Sequence, residues 1–311
     1  MPPAVAGPPD GAAARPVASP VAELARPRRA AVLGKPVAHS RSPDIHRAGY
    51  AAAGLAGWRY TAVECAEAEL ADLVAGLGAE WVGLSLTMPL KEAALRVASS
   101  TSALATTLGA ANTLVRRGDG WYAENTDAPG LADALRSALG SDAAAGARSL
   151  AGGRPAGGPR SVAVLGAGGT ARAALAAAAD LGAAVTVYAR RPAAVAALEP
   201  VAAALGLPMS YGDWAQAAAA GQADVVVSTV PKGAADGLAP TVEWGPSTVL
   251  LDALYDPWPT PLAVSAARAG RPVVSGLELL LAQAVRQFTL FTGVPAPVAA
   301  MRAALGLGVD R

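Results

Sequence analysis

Residues 161–191 join a short apolar run, a glycine-rich turn, an alanine-rich stretch and a second apolar run, and few folds accept that order. Val162, Ala163, Val164 and Leu165 are apolar and stop at Gly166, as a buried parallel strand should. Gly166, Ala167, Gly168, Gly169 and Thr170 follow, a turn in which the backbone can bend sharply and approach an anion. A helix expected from about Thr170 aims its free N–H groups at that anion. Ala171 stands where the third glycine of G-x-G-x-x-G usually stands, and it is small enough to keep helix and strand close. In a chain with 34 glycines such a cluster alone would mean little. The second strand expected over 184–189 gives it meaning, because strand, turn, helix and strand together make a dinucleotide-binding unit.

The end of that second strand bears on which dinucleotide. A site for NAD tends to place Asp or Glu there, to accept from the ribose 2′-hydroxyl. Here the residues are Tyr188, Ala189, Arg190 and Arg191, with no acid. Two guanidiniums suit a 2′-phosphate, which they can grip through charge-assisted bidentate bonds. Arginine at a helix start also opposes the helix dipole unless an anion is bound there. The expected cofactor is NADP.

Several classes are excluded by the whole chain. Its 311 residues suggest two domains of ordinary size, and a net charge of +1 without a long basic stripe argues against nucleic acid as a partner. One cysteine, Cys65, rules out an internal disulfide and fits a cytoplasmic protein. With two histidines, no metal site is expected. The apolar content is mostly alanine and contains no membrane-spanning run. Residues 1–28 read as a disordered Pro/Ala/Gly-rich extension, and 141–159 as an Ala/Gly-rich surface loop. Oligomeric state is left open, a homodimer being one option.

The fold class expected is α/β. Strands over 30–33, 58–63, 81–86 and 110–115 alternate with helices over 43–53, 67–77, 90–98 and 128–139, the pattern of a mostly parallel first sheet. Strands at 161–165, 184–189, 224–228, 249–253 and 272–275 form a doubly wound, Rossmann-type second sheet. A last helical segment begins at Gly276.

Four polar clusters of the first half fall at strand-to-helix junctions, where open α/β sheets bind ligands. In residues 34–43, Ser42 before Pro43 caps a helix or, with Ser40, receives a carboxylate at the helix N-terminus. In residues 83–91, Thr87 can cap the next helix, and Lys91 in its first turn is misplaced unless an acid or ligand faces it. Asn112 and Thr113 interrupt an apolar strand, so the Asn112 amide needs a partner in the core or in a ligand. Asp127, before Pro129, is an N-cap on local grounds.

Together these clusters resemble the shikimate dehydrogenase family, over residues 30 to 305. The motifs are GKPVAHSRSPDIH (34–46), SLTMPLK (85–91), GAANT (109–113), ENTD (124–127), GAGGTARA (166–173), STVP (228–231), DALYDPWPTPL (252–262) and GLELLLAQA (276–284). The resemblance implies an NADP-dependent oxidoreductase acting on a CH–OH group, reversibly reducing 3-dehydroshikimate to shikimate in aromatic amino acid and chorismate biosynthesis. It implies Lys91 as proton donor and acceptor with Asp127 beside it, and Ser40, Ser42, Thr87, Asn112, Tyr255 and Gln283 as substrate ligands. Thr229, Ala253 and Gly276 join residues 166–171, Arg190 and Arg191 around the cofactor. A substrate-binding domain over 29–127, an NADP domain over 128–275 and C-terminal helices over 276–311 returning to the first domain are the implied layout. An NAD-dependent relative acting on quinate, or on quinate and shikimate both, and a silent NADP-binding regulator are the rival readings.

Three residues depart from the usual family pattern: Ser85 stands for Asn, Leu86 for Val and Ala189 for Asn. Ser85 has the shorter reach, so ring-hydroxyl recognition is where a difference is expected. Cys65, His39 and His46 are taken as structural, with His46 on a helix surface.

Overall fold

The computed structural model describes residues 26–140 and 158–308. The expected extension through residue 25 and the loop over 141–157 lie outside the described residues. Two six-stranded sheets organise the rest, each with helices packed on it.

The first sheet is assembled from β1 (Arg28–Gly34), β2 (Trp58–Glu64), β3 (Trp81–Leu86), β4 (Ser100–Thr101), β5 (Thr113–Arg117) and β6 (Gly120–Glu124), in the order β2-β1-β3-β5-β6-β4. β1 pairs in parallel with both β2 and β3, through α1 (Ser42–Ala52) and α2 (Leu70–Ala75). The antiparallel strands β5 and β6 form a hairpin that interrupts the parallel pattern. The chain leaves β1 to one side and returns to the other at β3. A crevice therefore opens at the carboxyl ends of these two strands, as at any switch point of an open sheet.

The second sheet is parallel throughout, in the order β12-β11-β10-β7-β8-β9. Its strands are β7 (Ser161–Leu165), β8 (Ala184–Ala189), β9 (Met209–Asp213), β10 (Val225–Ser228), β11 (Val249–Asp252) and β12 (Val273–Ser275). Here the switch lies between β7 and β10. Buried Val and Leu fill the central strands β7, β10 and β11 because both faces are covered there. Helix α6 (Gly169–Asp180), counted after α3 (Ala94–Val97), α4 (Ala103–Leu108) and α5 (Asp127–Ala138), buries Ala171, Ala173, Ala174, Ala177 and Ala178. Side chains this small let the helix lie close to the sheet.

The long helix α10 (Gly276–Thr292), after α7 (Pro192–Ala196), α8 (Glu199–Ala204) and α9 (Pro261–Arg268), starts at the end of β12 and crosses to the first sheet. It packs on α5, α1, β3 and β5, and α11 (Val298–Ala304) packs on α1. A Cβ on Gly130 of α5 would stand 3.0 Å from the backbone nitrogen of Gln283, so the two helix backbones nearly touch there.

Several local expectations change. The helix expected over 90–98 contracts to α3, leaving Lys91 in a turn instead of a first helical turn. The strand expected from residue 110 begins at Thr113, because the Ala111 N–H donates to the Lys91 carbonyl and not into a ladder. Asn112 thus sits at the mouth of the strand. Neither Ser42 nor Asp127 is an N-cap: each is the first residue of its helix, after Arg41 and Thr126. The helix expected over 67–77 opens as a 3₁₀ turn over Glu67–Glu69. Short strands β4, β6 and β9 add to the expected set.

Candidate active site

The glycine turn closes the β7 end of a cleft of about 580 Å³ between the two sheets. Gly166 has φ +101°, a left-handed backbone, and a Cβ there would meet the Thr229 hydroxyl at 2.9 Å. Thr229, just beyond β10, donates its hydroxyl to the Leu165 carbonyl at 2.9 Å and shares the cleft wall with Ala167, Gly168, Gly169 and Thr170. Ala171 lies behind them, fully buried.

The residues present fit a dinucleotide phosphate. Gly168, the N-cap of α6, has no side chain to satisfy the first N–H groups, and nothing stands within 4 Å of where its Cβ would be. Arg190 and Arg191 line the far end of the cleft, exposed, their guanidiniums in no hydrogen bond or ion pair among the described residues. Trp214, which the sequence does not single out, lines the same end after edge strand β9. Ala253 and Gly276 are not in this wall. A Cβ on Gly276 would meet the Ala253 carbonyl oxygen, so the glycine lets the two backbones pack closely.

Thr87 and Lys91 enter the same cleft from the crevice of the first sheet. Lys91 Nζ lies 2.6 Å from Asp127 Oδ2, with only 19% and 12% of the two side chains exposed. The Asn112 amide donates to the other Asp127 oxygen at 2.8 Å and to Thr126 Oγ1 at 2.9 Å. The Asn112 oxygen in turn accepts from the Thr126 N–H at 2.8 Å and the Thr113 hydroxyl at 2.9 Å. Gln283 approaches Asn112 at 3.5 Å and donates to the Leu280 carbonyl at 2.7 Å. The structure therefore brings Lys91, Asp127, Asn112 and Gln283 into one cluster that ends in a cation at the cofactor cleft.

Ser40 and Ser42 stand at the start of α1, and Tyr255 follows β11. Ser40 Oγ accepts from the Ser42 N–H at 3.3 Å, and the buried Ser42 lies beside the Tyr60 phenol. Burial, then the charge of Asp256, raises the Tyr255 pKa, while Arg41 at the start of α1 opposes the shift.

His46 is not a surface residue: it is fully buried, stacked on Tyr60 at 4.1 Å with planes 2° apart. Desolvation lowers its pKa to about 3. Gln287 is also fully buried, and it bonds Ser85, Thr113 and the Asn112 carbonyl. In the sequence Gln287 is a polar residue one turn beyond Gln283; only the packing of α10 on β3 and β5 reveals its place. Among the described residues no three His, Cys, Asp or Glu gather as metal ligands, and no helix is long and apolar enough to cross a membrane.

Comparison with known proteins agrees with this arrangement. Residues 32–114 match the model of the shikimate dehydrogenase substrate binding domain, and 276–305 that of the shikimate 5'-dehydrogenase C-terminal domain. Residues 137–239 match the alanine dehydrogenase/PNT C-terminal domain. A shikimate dehydrogenase (NADP(+)) of Anaeromyxobacter sp. (strain K) is 36% identical over 280 residues, covering 88% of this chain and 94% of its own. The crystal structure of Mycobacterium tuberculosis shikimate dehydrogenase is 46% identical with a TM-score of 0.78, covering 90% of this chain and 99% of its own. Another, from Thermus thermophilus in complex with NADP(H) and shikimate, is 30% identical with a TM-score of 0.72, over 89% and 98% of the two chains. With its glycine turn, its paired switch points and these relatives, the chain belongs to the shikimate dehydrogenase family.

Proposed function

We propose that this chain catalyses the reversible, NADPH-dependent reduction of 3-dehydroshikimate to shikimate, in the cytoplasm. The observation that carries the reading is the Lys91–Asp127 pair, 2.6 Å apart and opening onto the glycine turn. NADPH, when bound, supplies the hydride. The residues of the turn hold its pyrophosphate, and Arg190 and Arg191 hold the 2′-phosphate.

Lys91 gives a proton to the carbonyl oxygen as negative charge gathers there, and takes it back in the reverse direction. Its ammonium also stabilises that charge in a site largely shielded from water. Asp127 keeps Lys91 in line and accepts from a ring hydroxyl, and Asn112 holds Asp127. Ser40 and Ser42 receive the substrate carboxylate, with Tyr255, Thr87 and Gln283 completing the pocket. In this reading residues 29–127 bind the substrate, 128–275 bind NADP, and the helices from 276 brace the first domain. Support comes from the NADP(+)-dependent relative and from the neighbour that holds NADP(H) and shikimate together.

The test is a spectrophotometric assay of purified protein with shikimate or quinate and each oxidised cofactor. Turnover of shikimate with NADP+ well above every other pairing is expected. Preference for quinate with NAD+, or no turnover at all, would contradict the reading.

A further inference from the structure

A single line of hydrogen bonds runs through the core from β2 to the catalytic pair. Tyr60 donates to Ser85 Oγ at 2.6 Å, and Ser85 donates to Gln287 Oε1 at 2.6 Å. Gln287 Nε2 donates to Thr113 Oγ1 at 2.9 Å and to the Asn112 carbonyl at 3.2 Å. Thr113 donates to Asn112 Oδ1 at 2.9 Å, and Asn112 Nδ2 to Asp127 Oδ1 at 2.8 Å. Every residue in the line is buried.

Two backbone groups fix the direction of the line. The Asn112 carbonyl can only accept, so Gln287 must turn its NH₂ toward it and its oxygen toward Ser85. Ser85 is then forced to donate, which leaves its oxygen to accept from Tyr60. At the other end the Thr126 N–H can only donate, so Asn112 turns its oxygen to Thr126 and its NH₂ to Asp127. All the donors therefore point along the line toward the carboxylate. Buried bonds arranged head to tail polarise and hold one another.

The geometry assigns Gln287, clamped by Ser85 and Tyr60, as a positioning residue for Asp127. It grips Asn112 at the carbonyl and, through Thr113, at the side chain, and so sets the amide that holds the carboxylate opposite Lys91. Ser85 is one amide short of the asparagine usual in the family, and Gln287 brings an amide to that place from the facing helix. The inference rests on the reading of Lys91 and Asp127 as the proton-handling pair.

The experiment is a double-mutant cycle read in kcat. Gln287→Leu is expected to lower kcat about tenfold and Tyr60→Phe about threefold, the range for one buried hydrogen bond, with KM for NADP unchanged. In an Asp127→Asn background the same substitutions should change kcat less than about twofold, because the group they position is gone. Tyr60→Phe keeps the ring stacked on His46, so it carries the test even if Gln287→Leu fails to fold. Equal losses in both backgrounds would make the line mere packing and overturn the assignment, as would no loss in either. Wild-type kcat in Asp127→Asn alone would instead remove the proton-handling reading, and this assignment with it.

Discussion

Lys91 reaches toward the glycine turn: a Cβ added to Gly169 would stand 3.8 Å from its Cδ, and both residues line one cleft. The lysine arrives from the first sheet and Gly169 opens the first helix of the second. The lysine proposed as proton donor and the turn proposed to hold the cofactor therefore face one cleft, across the boundary between the sheets. A lysine held 2.6 Å from Asp127 needs little reorganisation when charge develops beside it.

Arg190 and Arg191, at the far end of the cleft, are the residues proposed to hold a 2′-phosphate. With both changed to Ala, KM for NADP should rise about 10- to 100-fold, the loss expected for charge-assisted bonds to a phosphate. KM for NAD should move little, since NAD has no group for them to hold. Parallel initial-rate measurements with the two cofactors check this, and an equal rise for both would contradict it.

His46 makes stability depend on pH. Burial holds the folded imidazole neutral down to about 3, whereas the unfolded chain protonates near 6.5. Between these values the unfolded state binds more protons, so stability is full above 6.5 and falls as pH drops, by up to about 1.4 kcal/mol per pH unit. Urea midpoints at about pH 7 and about pH 5 should separate in the wild type. In His46→Leu the separation should shrink, and an unchanged separation would exclude His46 as its source.

Helix α10 is seated on the first sheet through an absence. A Cβ on Gly83 of β3 would lie 2.1 Å from the Phe291 ring, so Gly83→Ala should cost about 1–3 kcal/mol by overpacking. Phe291→Leu in the same chain should recover part of that loss. Thermal unfolding of the two single variants and the double variant measures it. Simple additivity would mean the two positions do not meet.

What could be read from the sequence was what local chemistry determines. Gly166, with its left-handed φ, and the apolar run before it sit in the turn and strand expected of them. Arg190 and Arg191 are exposed at the strand end because nothing local pairs with them. Where tertiary contacts decide, local reading falls short. Ala110 and Ala111 look like strand but bond elsewhere, since Lys91 offers its carbonyl across the crevice. His46 looks like a surface residue because its apolar cover, Tyr60, Phe288 and Phe291, comes from other elements. Gln287 carries no local mark of its partners, which lie 174 and 202 residues away in Thr113 and Ser85. Short strands such as β9, with most of its residues open to water, lack the apolar alternation that would announce them.

The most direct measurement is the turnover of Lys91→Ala with saturating shikimate and NADP+, alongside its affinity for NADP. The account predicts kcat lower by about two to four orders of magnitude, the loss expected for a general acid, with NADP binding nearly intact. Turnover close to that of the wild type would contradict it.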